Sequence, residues 1–184
     1  MKGILKNWHR YLLWLTVSFF FWAWIFTLIT DAPAAKKLVL YADCPAMERQ
    51  ALDDALEADM PNSIRFVEAR VFSDEMFQPS NLAAGDILIF AEEQLEQYFG
   101  TFTFAPLDRA AFSGRTLLER DGTAYGICVY DEAESIAAGA KYLAYLPGKR
   151  YFLFFNAASQ HLGDWNGSKD DGALRAAGTF LTLP

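Results

Sequence analysis

The chain has 184 residues, with 23 Asp and Glu against 16 Lys and Arg, a formal charge of −7. All 23 acids but only 13 of the 16 bases follow residue 30, which leaves that part at −10. Such a balance speaks against nucleic acid or an anionic membrane surface as a partner, although solubility alone would account for it.

The first element is apolar. "YLLWLTVSFFFWAWIFTLIT", Tyr11 to Thr30, is twenty residues without a charge, and at about 1.5 Å per residue it spans the ~30 Å of a hydrocarbon core. Lys2, Lys6 and Arg10 precede it with no acid, whereas Asp31 accompanies Lys36 and Lys37 after it. The expectation is a cytoplasmic N-terminus (1–10), a single transmembrane helix (11–30), a short linker (31–36) and an extracellular domain (37–184) on the cell membrane. Ala32-Pro33-Ala34 superficially resembles a signal-peptidase site, but the run is too long and too rich in Trp and Phe for an ordinary signal segment. Its bulky Trp14, Trp22, Trp24 and Phe19-Phe20-Phe21 present no small-residue face for helix pairing.

Beyond the anchor, strands and helices alternate. "KLVLYAD" (37–43) reads as a strand, and Asp43-Cys44-Pro45 as the start signal of an amphipathic helix, "AMERQALDDALEADM", with Leu52, Leu56 and Met60 on one face. Pro61-Asn62-Ser63 breaks it. "SIRFVEARVF" is a half-buried strand, "SDEMF" a short helix opening, and "QPSNLAAG" turn-rich. "DILIF" (86–90) is a continuous apolar strand of the kind buried on both faces of a parallel sheet. "EEQLEQYF" follows as a helix with Leu95, Tyr98 and Phe99 on one face and Gly100 as its stop. Asp121-Gly122 marks a turn between two short strands. "DEAESIAAGAKYLAYL" (131–146) reads as a helix and "RYFLFFN" as an aromatic strand. "SKDDGALRAAGTFL" reads as a closing helix capped by Ser168, with Asp171 three residues on. The expected fold class is α/β: one ectodomain of right-handed βαβ units with a largely parallel or mixed sheet flanked by helices, behind one N-terminal transmembrane helix.

Chemistry-bearing residues are sparse. Glu92 and Glu93 are adjacent at a helix start and diverge by about 100° around its axis, so they form no acid pair, and the helix dipole accounts for their charge. Glu92 still stands at the carboxyl end of a strand, where open parallel sheets take ligands. Cys44, His161 and Asp164 would supply a nucleophile, base and orienter for a hydrolase, without any local motif to support it. "DWNGSKDDG" resembles a calcium loop only faintly, with Lys169 at the glycine position and Arg175 in place of the closing Glu. One histidine outside the membrane flank gives zinc little to build on, and no phosphate-binding glycine motif follows a strand. No cofactor, metal or catalytic residue is expected. Cys44 and Cys128 are compatible either with a disulfide or with two buried thiols. Trp165, among glycines and polar residues, is a candidate for stacking on a sugar or anchoring a partner.

Several segments together resemble the extracytoplasmic solute-binding proteins of bacterial ABC importers, especially the carbohydrate type. "KLVLYAD" and its helix resemble their opening strand and first helix. "AAGDILIFAEEQLEQYF" resembles the "G-D-x-D" stretch after their third strand, "FAPLDR" their "L-x-P-L-D" turn, and "DGTAYGICVYD" the strand at which their chain returns. The match covers residues 37–131, more weakly the final strand and helix. It implies a domain like one lobe of those proteins, binding a small solute such as a sugar, as an accessory or sensor beside a permease. Carried over, the ligand-facing positions are Asp43, Cys44, Glu92, Tyr125 and Gly126. Two departures stand out: those proteins close two lobes on a ligand, and their usual anchor is a lipidated cysteine. A non-catalytic module pairing with a membrane protein is the alternative reading, and a Cys/His hydrolase the third.

Overall fold

The structure, a computed structural model, describes residues 8–30, 33–72, 85–100, 103–163 and 171–184. They fall into two compact units, Met1–Pro33 and Ala34–Pro184. Among the described residues, the first holds one helix, α1 (Trp8–Thr30). Its stretch Trp8–Thr27 is long and apolar enough to cross a membrane. Within it the Thr16 and Thr27 hydroxyls donate to the Leu12 and Ala23 carbonyls, both at 2.9 Å, so neither hydroxyl is left unbonded in an apolar medium.

The second unit opens with a 3-10 turn at Ala34–Lys36 and is built on β1 (Lys37–Ala42), α2 (Arg49–Glu57), β2 (Phe66–Val71), β3 (Ile87–Ala91), a 3-10 turn at Glu92–Gln94 running into α3 (Leu95–Phe99), β4 (Leu117–Arg120), β5 (Thr123–Asp131), β6 (Ile136–Ala137), β7 (Tyr151–Phe155) and α4 (Gly172–Phe180). The seven strands form one mixed sheet in the order β2-β1-β3-β7-β5-β4, with β6 also paired to β5. β1 runs parallel to β2 and β3, while β7 is antiparallel to both β3 and β5.

β1, β3 and β7 read as continuous apolar runs because both sheet faces are covered. Successive side chains alternate between the faces. Leu38, Leu40 and Ala42 of β1 join Leu52 and Leu56 of α2 and Ala173, Ala176 and Phe180 of α4 on one side. Val39 and Tyr41 join Leu95 and Tyr98 of α3 and the rings of Phe90, Phe104, Phe152 and Phe154 on the other. Phe90 packs 4.2 Å from Tyr98 and Phe104 4.5 Å from Phe154, between ring centroids. Burial of such a side chain stabilises by roughly 1.5–3 kcal/mol, so this aromatic layer is a main source of cohesion.

The edge strand β2 is closed to further pairing by α2. Glu57 accepts from the Val67 N–H at 2.9 Å and Asp53 from the Ala69 N–H at 2.6 Å, a device that blunts an otherwise open edge.

Several elements depart from the sequence expectation. α2 begins only at Arg49, because residues 46–48 pair with 142–144: Glu48 N–H donates to Tyr142 O at 2.8 Å, and Ala144 N–H to Ala46 O at 3.0 Å. The helix expected over 131–146 is absent. Ser135 and Gly139 adopt positive φ, and the N–H groups of Gly139 and Lys141 donate to Leu183 and Pro184 rather than up a helix. Gly100 ends α3 at φ −80, without the left-handed turn expected of a glycine stop. α4 is capped by Asp171, whose carboxylate accepts from Leu174 N–H at 3.1 Å. Ser168, Trp165, Asp164, the calcium-like loop up to residue 170 and the segments "SDEMF" and "QPSNLAA" lie outside the described residues. Asp121-Gly122 does form the expected turn, with φ of 52° and 77°.

Candidate functional site

Two places in the domain carry the chemistry of interest. The first is the carboxyl edge of the parallel strands. β1 is followed by a helix on one face of the sheet and β3 by a helix on the other, which makes the gap between their ends a topological switch point, where open α/β sheets take ligands. Asp43 and Cys44 leave β1 here, with the Asp43 N–H donating to Ile89 O at 2.8 Å, and Glu92 leaves β3. The structure thus brings Asp43, Cys44 and Glu92 to one edge.

The charges at that edge are engaged with one another. Arg150, just before β7, donates to Asp131 at the end of β5 at 2.7 Å and lies 3.3 Å from Glu92. Lys149 pairs with Glu93 at 2.7 Å, and that hydrogen bond raises the lysine's pKa. Beside them Tyr130, Tyr145 and Tyr151 pack ring on ring, with Tyr130 and Tyr145 stacked at 4.5 Å. Burial pushes the Tyr145 hydroxyl far up, and it donates to Ala138 O at 2.7 Å. Cys44 is a free, buried thiol. Burial, and then the Asp43 charge, push its pKa up to about 11, the opposite of what a nucleophile needs.

The hydrolase constellation does not assemble. His Nε2 of residue 161 lies 3.2 Å from Ala34 O and 3.1 Å from Lys37 O, at the start of β1, whereas Cys44 lies beyond its end. Seven residues of extended chain separate the two positions, roughly 23 Å. Cys128 is also free, and it packs on the opposite sheet face from Cys44, so the two do not pair. Among the described residues no group of three or more metal-ligating side chains occurs.

The second place is a cleft of about 500 Å³ lined by Glu96, Phe99, Gly100, Thr103, Phe104, Arg120, Asp121 and Tyr125. Its size falls within the range of small-molecule sites. α3 brings Phe99 to the cleft, one turn beyond the buried Leu95 and next to the buried Tyr98. The tight β4–β5 turn brings Arg120 and Asp121 opposite, and Tyr125 rises from β5. Phe104 and Tyr125 stand nearly perpendicular to Phe99, at 5.0 Å and 81° and at 5.6 Å and 79°. The Arg120 guanidinium sits 4.6 Å over the Phe99 ring, with a Glu96 oxygen 3.7 Å away.

Tyr125 therefore belongs to this cleft and not to the strand-end edge; six residues of β5, roughly 20 Å, separate it from Asp131. Gly126 is buried, and a Cβ there would stand 2.8 Å from Phe154, so the glycine makes room for the aromatic layer. The sequence offers none of Phe99, Phe104, Arg120, Glu96 and Asp121 as a site residue. Phe99 reads as one more apolar residue on a helix face, and only the proximity of a "DG" turn to Tyr125 signals that Arg120 lies nearby. No protein-family model, curated protein or solved structure matches the chain significantly.

Proposed function

We propose that this chain is a membrane-tethered domain that binds a small solute outside the cell, with its N-terminus in the cytoplasm, and that it acts as an accessory or sensor beside an importer. The observation that carries the reading is the aromatic cleft, in which Phe99, Phe104 and Tyr125 converge with Arg120, Glu96 and Asp121. Aromatic side chains beside convergent polar groups are among the features of a small-molecule site. A sugar, the solute class suggested by the resemblance, would stack on such rings. The strand-end set of Asp43, Cys44 and Glu92 supports the domain without being its main site, because the charges around it are mutually paired. The test is a thermal-shift screen of the full chain in maltoside micelles against sugars, amino acids and amines. The reading expects at least one class to raise the melting temperature, as ligand binding to the folded state must, and the rise to be lost in Tyr125→Ala. No shift from any class would refute it.

A further inference from the structure

The solute class can be narrowed by asking what already occupies the cleft. The aromatic face of Phe99 is covered by a cation belonging to the chain itself, the Arg120 guanidinium at 4.6 Å. That cation is lightly held. Its separation from Glu96, 3.7 Å, exceeds a hydrogen bond, and the Glu96 side chain is 89% exposed.

Among the described residues, the charged lining is Arg120 against Glu96 and Asp121, in a domain whose residues after 30 total −10. An anionic solute would gain Arg120 but meet two carboxylates and an adverse field. A cation meets the reverse: two acids, and a Phe99 ring face that already accepts a guanidinium, the surface an ammonium group seeks.

We infer that the cleft binds an organic ammonium ion, which displaces the Arg120 guanidinium from the Phe99 ring and takes its place on that ring face. The inference rests on the solute-binding reading of this cleft. The exchange replaces one cation by another over the same ring, so no uncompensated charge is buried. Once released, Arg120 swings toward solvent and leaves Glu96 and Asp121 facing the ligand. The same headgroup chemistry could arrive as a free amine or as the choline headgroup of a lipid.

Calorimetric titration of the full chain in maltoside micelles tests this with choline, its uncharged isostere 3,3-dimethylbutan-1-ol, glycerophosphocholine and a sugar panel. Choline is expected to bind at least about fivefold more tightly than the isostere, the factor a cation–π contact supplies. Phe99→Leu is expected to weaken choline by a similar factor. Arg120→Gln, at the exposed end of β4, is expected to tighten it by about threefold or more by removing the resident cation. Glycerophosphocholine binding as tightly as choline assigns the site to a lipid headgroup, and weaker binding assigns it to a free amine. Equal affinity for choline and its isostere, or an Arg120→Gln variant that binds choline no better, overturns the inference. A sugar that binds in a Phe99-dependent manner while choline does not overturns it too, but leaves the solute-binding reading intact. No binding by any probe removes both.

Discussion

The Arg120 guanidinium lies 4.6 Å over the ring of Phe99, joining the β4–β5 turn to the end of α3 across the mouth of the cleft. Neither residue belongs to the deep core, and the contact is of a kind worth only about 0.5–1 kcal/mol when exposed. An interaction this weak contributes little to folding. Its position, between aromatic walls and two acids, is what gives it a bearing on function.

The strand-end network is a different case. Arg150 joins Asp131, whose side chain is 8% exposed, to Glu92, which is 40% exposed. Arg150→Ala strands the Asp131 carboxylate with its Ala133 N–H bond alone. Because Arg150 itself is 37% exposed, the loss should be well below that of a fully buried pair, about 1–2 kcal/mol. Urea denaturation of the variant measures it, and Glu92→Gln should cost less than half as much.

Gly139 is held at φ +67, and a Cβ there would lie 2.7 Å from the Phe180 ring. Gly139→Ala combines a left-handed alanine with overpacking against a fully buried aromatic, and should destabilise by about 2–4 kcal/mol. Gly148, with a similar φ of +73 but open space around it, is the control. Gly148→Ala should lose only the conformational part, about 1–2 kcal/mol, in the same denaturation assay.

The two thiols give the domain an alkaline limit. Burial raises Cys44 and Cys128 from an ordinary value of 9.0 to about 11. A thiol shifted upward contributes stability that is fully present below the unfolded value and lost as the pH climbs through the folded one. Stability should therefore decline between pH 9 and 11, less steeply in the Cys44→Ala, Cys128→Ala double variant. At pH 8 both thiols should resist iodoacetamide in the folded chain and react once it is unfolded, as mass spectrometry would record.

The sequence made the centre of the sheet legible and its periphery not. "KLVLYA", "ILIFA" and "YFLFF" are strands because each is an unbroken apolar run covered on both faces, a local property. The Asp121-Gly122 turn was equally local. The stretch from Asp131 to Leu146 has helical composition, but its conformation is decided by partners at Leu183 and Pro184, some forty residues on, which no local pattern reveals. The same holds for the site. Asp43 and Glu92 could be placed together because both end parallel strands. Tyr125 could not be placed with Phe99, since that contact depends on α3 folding back over the face that β5 shares.

The most direct test of the solute-binding account is a crystal structure of the full chain with whichever solute gives the largest thermal shift. The account predicts that solute between Phe99, Phe104 and Tyr125, with Arg120 moved off the Phe99 ring. A solute bound elsewhere, with Arg120 still seated over Phe99, would contradict it.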